Sequence, residues 1–253
     1  MAVIETYVSK EPAFRLSKLI LIFFGTFVLT GCNRPPSSSS FVVKNPLSPI
    51  MSSTGLSWRE PSSRDSRESS KPLKYSTIVR KYADRYELDW LLILSVMKQE
   101  SQFKPNAVSR VGAYGLMQIM PITETELSEK IGVREARTPY NNIKAGSFHL
   151  RTLYRIFRDS PEDDRIRLTL AAYNAGLGRV LDARQIVAYL GNDPKSWDSV
   201  KKALPLLSKR YYTLHQNIWQ GKPPSGYFGN WRQTTKYVDK VLDHYDQFAL
   251  AYD

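Results

Sequence analysis

At 253 residues the chain is long enough for one domain with a buried core plus tails, or for two small domains. Its formal net charge of +12 suits an anionic partner, whether nucleic acid, a membrane surface or an acidic polymer, and does not choose among them. The single cysteine, Cys32, excludes an intrachain disulfide and argues against a Cys-based metal site; His149, His215 and His244 are too scattered to suggest a histidine one.

The N-terminus reads as an address. Lys10, Arg15 and Lys18 precede an uncharged apolar run from Leu19 to Leu29, the proportions of a secretory signal. The run is too short to span a bilayer, which takes roughly 20 apolar residues. It ends in Leu29-Thr30-Gly31-Cys32, which resembles the bacterial lipoprotein box. That resemblance implies cleavage before Cys32, acylation of the cysteine and a tether to a bilayer surface; several acyl chains exceed the two signals that stable anchoring needs. Asn33 in place of an aspartate favours, by analogy with enteric lipoproteins, the periplasmic face of the outer membrane. The Ser-, Pro- and Arg-rich stretch 32–72 carries too little apolar surface to offset its ordering entropy and is expected to be a flexible tether. The expected organisation is therefore a signal peptide over 1–31, a lipidated tether over 32–72 and a catalytic domain over 73–253.

Beyond residue 73 the periodicity is helical. Apolar residues crowd every side of Leu88 to Met97, so this helix should be buried nearly all round, with Lys104-Pro105 as its stop. Thr123 with Glu126 reads as a capping box opening a short helix. Ile143, Leu150, Tyr154 and Phe157 mark one face of the next. Ser160-Pro161 with Asp163 opens another that runs to Asn174 before Gly176 stops it. A last helix is expected over Thr234 to Leu250. The architecture is read as an all-α globule with room for a minor hairpin between Arg179 and Trp231. In that stretch Tyr211, Tyr212, Tyr227, Phe228 and Trp231 could stack on sugar rings, although core packing is the commoner use of aromatics.

Glu100 is the informative residue, since it shares a helical face with Ile93 and Met97. Desolvation and the negative end of the helix dipole both oppose its ionisation, and a carboxyl kept protonated near neutrality can donate to a glycosidic oxygen. A solvated side chain at a fraying helix end is the plainer alternative. From Ser101 through Thr123 there is no aspartate or glutamate, whereas ordinary glycosidases set two carboxyls across the bond. A second acid could come from elsewhere, for example Asp182. Its local absence fits a route in which the sugar's own acetamido oxygen attacks the anomeric carbon.

Glu100-Ser101-Gln102-Phe103, Asn106-Ala107-Val108-Ser109, Gly112-Ala113-Tyr114-Gly115-Leu116-Met117-Gln118-Ile119-Met120-Pro121 and Ala172-Tyr173-Asn174-Ala175-Gly176 resemble, in order and spacing, the four motifs of the family 1 lytic transglycosylases. The segments around Asp182-Ala183-Arg184, Pro194-Lys195-Ser196-Trp197 and Leu204-Pro205-Leu206-Leu207-Ser208 further resemble the membrane-bound F type. The resemblance covers about Tyr75 to the C-terminus and implies a lysozyme-like fold of the goose-type and soluble transglycosylase kind. That F type places a solute-binding-like module ahead of its catalytic domain, where this sequence has the tether.

The resemblance also implies roles. Glu100 would be general acid and then base, cutting peptidoglycan strands to leave 1,6-anhydro-muramic ends. Ser109 would bind the acetamido group, and Gln118 and Met120 would line the saccharide groove. Tyr173 would hold Glu100 through its hydroxyl, and Asn174 would support the turn. Tyr237 resembles the family's late active-site tyrosine, in a Gln233-Thr234-x-x-Tyr237-Val238 setting that departs from the common pattern at Gln233. Ser101 is open between a helix-end cap and a catalytic contact. The chemistry requires no metal and no cofactor. A hydrolytic muramidase of the goose-lysozyme kind and a non-catalytic wall-binding lipoprotein stay open as alternatives; Met120, where that muramidase group tends to carry an aspartate, favours the lyase. The secretion signal argues against nucleic acid.

Overall fold

The computed structural model describes residues 63–132 and 137–252, so the signal segment, Cys32 and most of the tether lie outside the described residues. The first helix, α1, runs Ser63–Tyr86 and is continuous across 63–72, where flexible tether was expected. Local composition misses this because Pro72 is buried and Tyr75, Val79, Tyr82 and Ala83 farther along bury an apolar stripe. Pro72 lies inside the helix, where its ring removes one backbone donor.

The second helix, α2, spans Trp90–Ser101 and is buried from Leu91 to Met97, as its unbroken apolar run requires. Asp89 caps it by accepting from the Leu91 N–H at 2.8 Å. Its stop is not Pro105. Gln102 and Phe103 turn the chain at φ 52° and 60°, left-handed positions that end the helix ahead of the proline. The next helix, α3, runs Pro121–Ile131, starting two residues before the expected capping box, because a proline whose missing N–H costs nothing at the first turn nucleates it.

Helix α4 spans Pro139–Ile156 with Thr138 as its cap, and buries Ile143, Leu150 and Leu153 on one face. Helix α5, Glu162–Ala175, carries Glu162, Asp163 and Asp164 in its first turn, matching the positive end of its dipole. Gly176 at φ 90° stops α5, and α6, Leu177–Tyr189, begins at the following residue. The expected hairpin between Arg179 and Trp231 is absent. That stretch forms α6, α7 over Trp197–Ala203, two 3-10 turns over Leu204–Leu207 and Lys209–Tyr211, and α8 over Tyr212–Trp219. The extended pairing lies elsewhere, as isolated antiparallel bridges from Tyr114 to Val108 and Ile119. The last helix, α9, Trp231–Tyr252, buries Thr234, Thr235, Tyr237, Val238, Val241 and Tyr245.

Helix α9 packs chiefly on α2 and α5, while α4 packs on α1 and α5. Two features position the site. Buried α2 delivers Glu100 in its last turn, and α9 crosses it from the other end of the sequence. No helix among the described residues is long and apolar enough to cross a membrane.

Candidate active site

Glu100 sits where α2 ends, and its neighbours in the helix are fixed by packing. One residue on, the buried Ser101 hydroxyl lies 3.2 Å from the Met97 carbonyl and 2.9 Å from the Leu116 carbonyl. This resolves its role: the serine clips the end of α2 to the 112–118 loop rather than facing a ligand.

That loop is built by backbone pairing and one buried amide. Tyr114 and Ile119 exchange N–H to carbonyl bonds at 3.0 Å, and the Gly115 N–H reaches the Ala107 carbonyl at 2.9 Å. Asn142 of α4, 1% exposed, donates from Nδ2 to the Tyr114 carbonyl at 2.9 Å and accepts from the Met117 N–H at 2.8 Å. Gly115, at φ 83°, must be glycine: a Cβ there would lie 2.4 Å from Asn142 Nδ2. Gly146 of α4 plays the matching part, since a Cβ on it would meet Met117 Sδ at 2.4 Å. Asn142 and Gly146 are absent from the sequence-based site. Both are poor helix formers inside a helix, and that mismatch is the signal that could have found them.

Tyr237 of α9 donates its hydroxyl to Glu100 Oε1 at 2.6 Å. Its placement follows from the motif that contains it: buried Thr234, one turn earlier, donates to Asn174 Oδ1 at 2.9 Å and thereby ties α9 to the end of α5. Asn174 thus braces a helix contact rather than only a turn. Tyr173 differs from expectation. Its hydroxyl donates to the Met117 carbonyl at 2.8 Å, not to Glu100, because that carbonyl of the ordered loop stands within its reach. The hydrogen bond expected of Tyr173 is made by Tyr237.

Electrostatics follow from this enclosure. Burial pushes the Glu100 carboxyl up from 4.5 to about 7, partly opposed by the Tyr237 hydrogen bond. Tyr237 and Tyr173 are both raised well above 10.0, first by burial and next by the Glu100 charge, so both phenols keep their protons. His149, whose ring centroid lies 5.3 Å from that of Tyr173, is pushed down to about 4 by burial and then by Lys130, so it is neutral. Among the described residues no second carboxylate acts on Glu100. Asp182 is buried and raised by desolvation, and one of its oxygens accepts from the Ser225 N–H at 2.9 Å. It fastens a loop to α6.

The other expected contacts are partly committed to the protein. Ser109 Oγ accepts from the Ala113 N–H at 2.9 Å. Gln118, itself at φ 48°, spends its Nε2 on the Ala107 and Gly115 carbonyls at 3.1 and 2.9 Å, leaving only its oxygen to a ligand. Met120 is half-buried just before α3. A groove of about 410 Å³ opens beside Tyr237, lined by Gln99, Asn174, Gln233 and basic side chains of α9. A second of about 300 Å³ continues past Asn174 to Arg179, Tyr227 and Asn230. No cluster suited to a metal ion occurs among the described residues. One desolvated, protonatable acid beside open grooves can deliver a proton to a bound ligand and take one back.

Residues 77–194 match the family model described as the transglycosylase SLT domain. The membrane-bound lytic murein transglycosylase F of Pasteurella multocida is 38% identical over 175 residues, 68% of this chain and 34% of that protein. Its namesake from Desulfosudis oleivorans is also 38% identical over 175 residues, 68% of this chain and 36% of that protein. The chain therefore spans about a third of the length of the curated relatives it matches. The solved structure of an inactive mutant of the lytic transglycosylase Slt from Pseudomonas aeruginosa superimposes with a TM-score of 0.51 at 27% identity, covering 72% of this chain and 25% of that one. Among the described residues the architecture is helical with no sheet, and it superimposes on this transglycosylase of lysozyme-like fold.

Proposed function

We propose, from the match of residues 77–194 to the transglycosylase SLT domain model, that this chain is a lytic transglycosylase that cuts the β-1,4 bond between MurNAc and GlcNAc in peptidoglycan. The observation that carries the reading is Glu100, a carboxyl whose pKa burial raises to about 7 and which is held by one neutral hydroxyl, with no second acid acting on it among the described residues. Near neutral pH such a group holds its proton far more often than an ordinary carboxyl, and it is not itself a nucleophile opposed to another carboxylate.

In the proposed sequence Glu100 donates its proton to the glycosidic oxygen while the acetamido oxygen of MurNAc attacks the anomeric carbon, and the GlcNAc-bearing strand leaves as an alcohol. The Glu100 carboxylate then removes the proton from the 6-hydroxyl of the same MurNAc. That oxygen attacks the anomeric carbon, the acetamido group departs, and a 1,6-anhydro ring closes with no water consumed. Tyr237 stabilises the carboxylate present between the two steps, a hydrogen bond to charge being worth about 1.5–3 kcal/mol. Ser109, Gln118 and Met120 belong to the saccharide side of the site, and Tyr173 and Asn174 act by fixing the loop and α9.

Mass spectrometry of digested sacculi tests this. Anhydro ends with wild type and none with Glu100→Gln are expected; reducing ends carrying added water would instead indicate a hydrolytic muramidase. Lipid anchoring at Cys32 is part of the proposal and rests on the Leu29-Thr30-Gly31-Cys32 pattern. Cys32→Ala should release the protein from the membrane fraction, and unchanged fractionation would remove the anchor.

A further inference from the structure

Arg232, Lys236 and Lys240 recur every four residues along α9 and so form one exposed row. All three line the groove of about 410 Å³ that also contains Tyr237, the partner of Glu100. The remaining lining, Gln99, Asn174 and Gln233, is neutral, so three cations meet in this groove with no carboxylate in its wall. None of the three is ion-paired among the described residues; the one acid of α9 that is, Asp239, faces Lys201. Cations gathered in a concave wall without counter-charges repel one another, which is unfavourable unless a ligand supplies the anions.

We propose that this row is a subsite for the acidic peptide branches carried by the glycan strand, binding their carboxylates beside the cleavage site. The inference rests on the transglycosylase reading and deepens it by naming what the enzyme selects. From residue 232 to 240 the helix advances about 12 Å, the reach of three or four extended peptide residues. The row therefore fits a short peptide lying along α9 better than a single anion. A lipid surface would need the cations on a convex face, whereas these point into a groove shared with Tyr237.

The test uses the full chain carrying Glu100→Gln, so that bound glycan is not consumed. Its affinity for soluble glycan strands bearing peptides is compared with that for strands stripped of peptides by an amidase. About tenfold tighter binding of the peptide-bearing strands is expected, the sum of three exposed charge pairs, and raising the salt should erase the difference. Adding Arg232→Gln, Lys236→Gln and Lys240→Gln together should abolish that preference, and Lys236→Glu alone should reverse part of it. The inference is overturned if the triple variant keeps the preference, or if it loses affinity equally for both kinds of strand. It is also overturned if the triple variant loses only binding to phosphatidylglycerol vesicles, which would assign the row to a membrane. Failure of wild type to cleave sacculi and of Glu100→Gln to bind either strand would instead sink the transglycosylase reading, and the subsite with it.

Discussion

Glu100→Gln should become more stable than wild type as the pH rises, although it removes the central acid. Between 4.5 and about 7 the folded protein holds a proton on Glu100 that the unfolded chain has already released. Wild-type stability is therefore lost across that window as pH increases, and the loss is complete once the folded carboxyl ionises. The interval corresponds to ~3 kcal/mol at 1.36 kcal/mol per pH unit. Glutamine keeps the shape, can still accept the Tyr237 hydroxyl and carries no charge to desolvate, so the variant escapes the loss. Thermal melts of both proteins from pH 4 to pH 8 read the effect. The difference in Tm should widen in favour of Glu100→Gln by about 6–12 °C, taking 2–4 °C per kcal/mol for a domain of this size. Parallel pH profiles, or a wild type that gains on the variant with rising pH, would refute the claim that the carboxyl is held in a desolvated site.

Tyr237→Phe deletes the one hydrogen bond that lowers the Glu100 pKa, so the alkaline limb of the kcat/KM profile should move above pH 7 while the rate at the optimum falls by about tenfold to a hundredfold; an unshifted limb would separate Tyr237 from the acid. Asn142→Ala leaves the Met117 N–H and the Tyr114 carbonyl without their buried partner, and urea titration should show a loss of ~2–4 kcal/mol. A loss below about 0.5 kcal/mol would mean that the loop does not depend on that amide.

Much of this molecule is local. The apolar run of α2 dictates a helix buried on all sides, and an acid in its last turn is conspicuous from spacing alone, as is the glycine that ends α5. Gly112 and Gly115 also advertise an unusual loop, because left-handed backbone selects glycine, whereas Gln118 at φ 48° carries no such signal. Other features were misplaced for equally local reasons. The composition of 63–72 does not reveal that the segment continues into a helix with a buried stripe. The expected hairpin between Arg179 and Trp231 gave way to short helices that bury Val180, Ile186, Val200 and Leu204.

The sequence by itself determined the helices, the position of Glu100 on an apolar face and the motifs that resemble those of the lytic transglycosylases, since periodicity and turn chemistry act over a few residues. Only the tertiary structure decided which tyrosine serves the acid. Tyr173 and Tyr237 are both buried phenols, and the choice depends on Thr234 meeting Asn174 across 60 residues and Tyr237 meeting Glu100 across 137. Contacts at such separations are set by how whole helices pack, and no rule confined to neighbouring residues contains them.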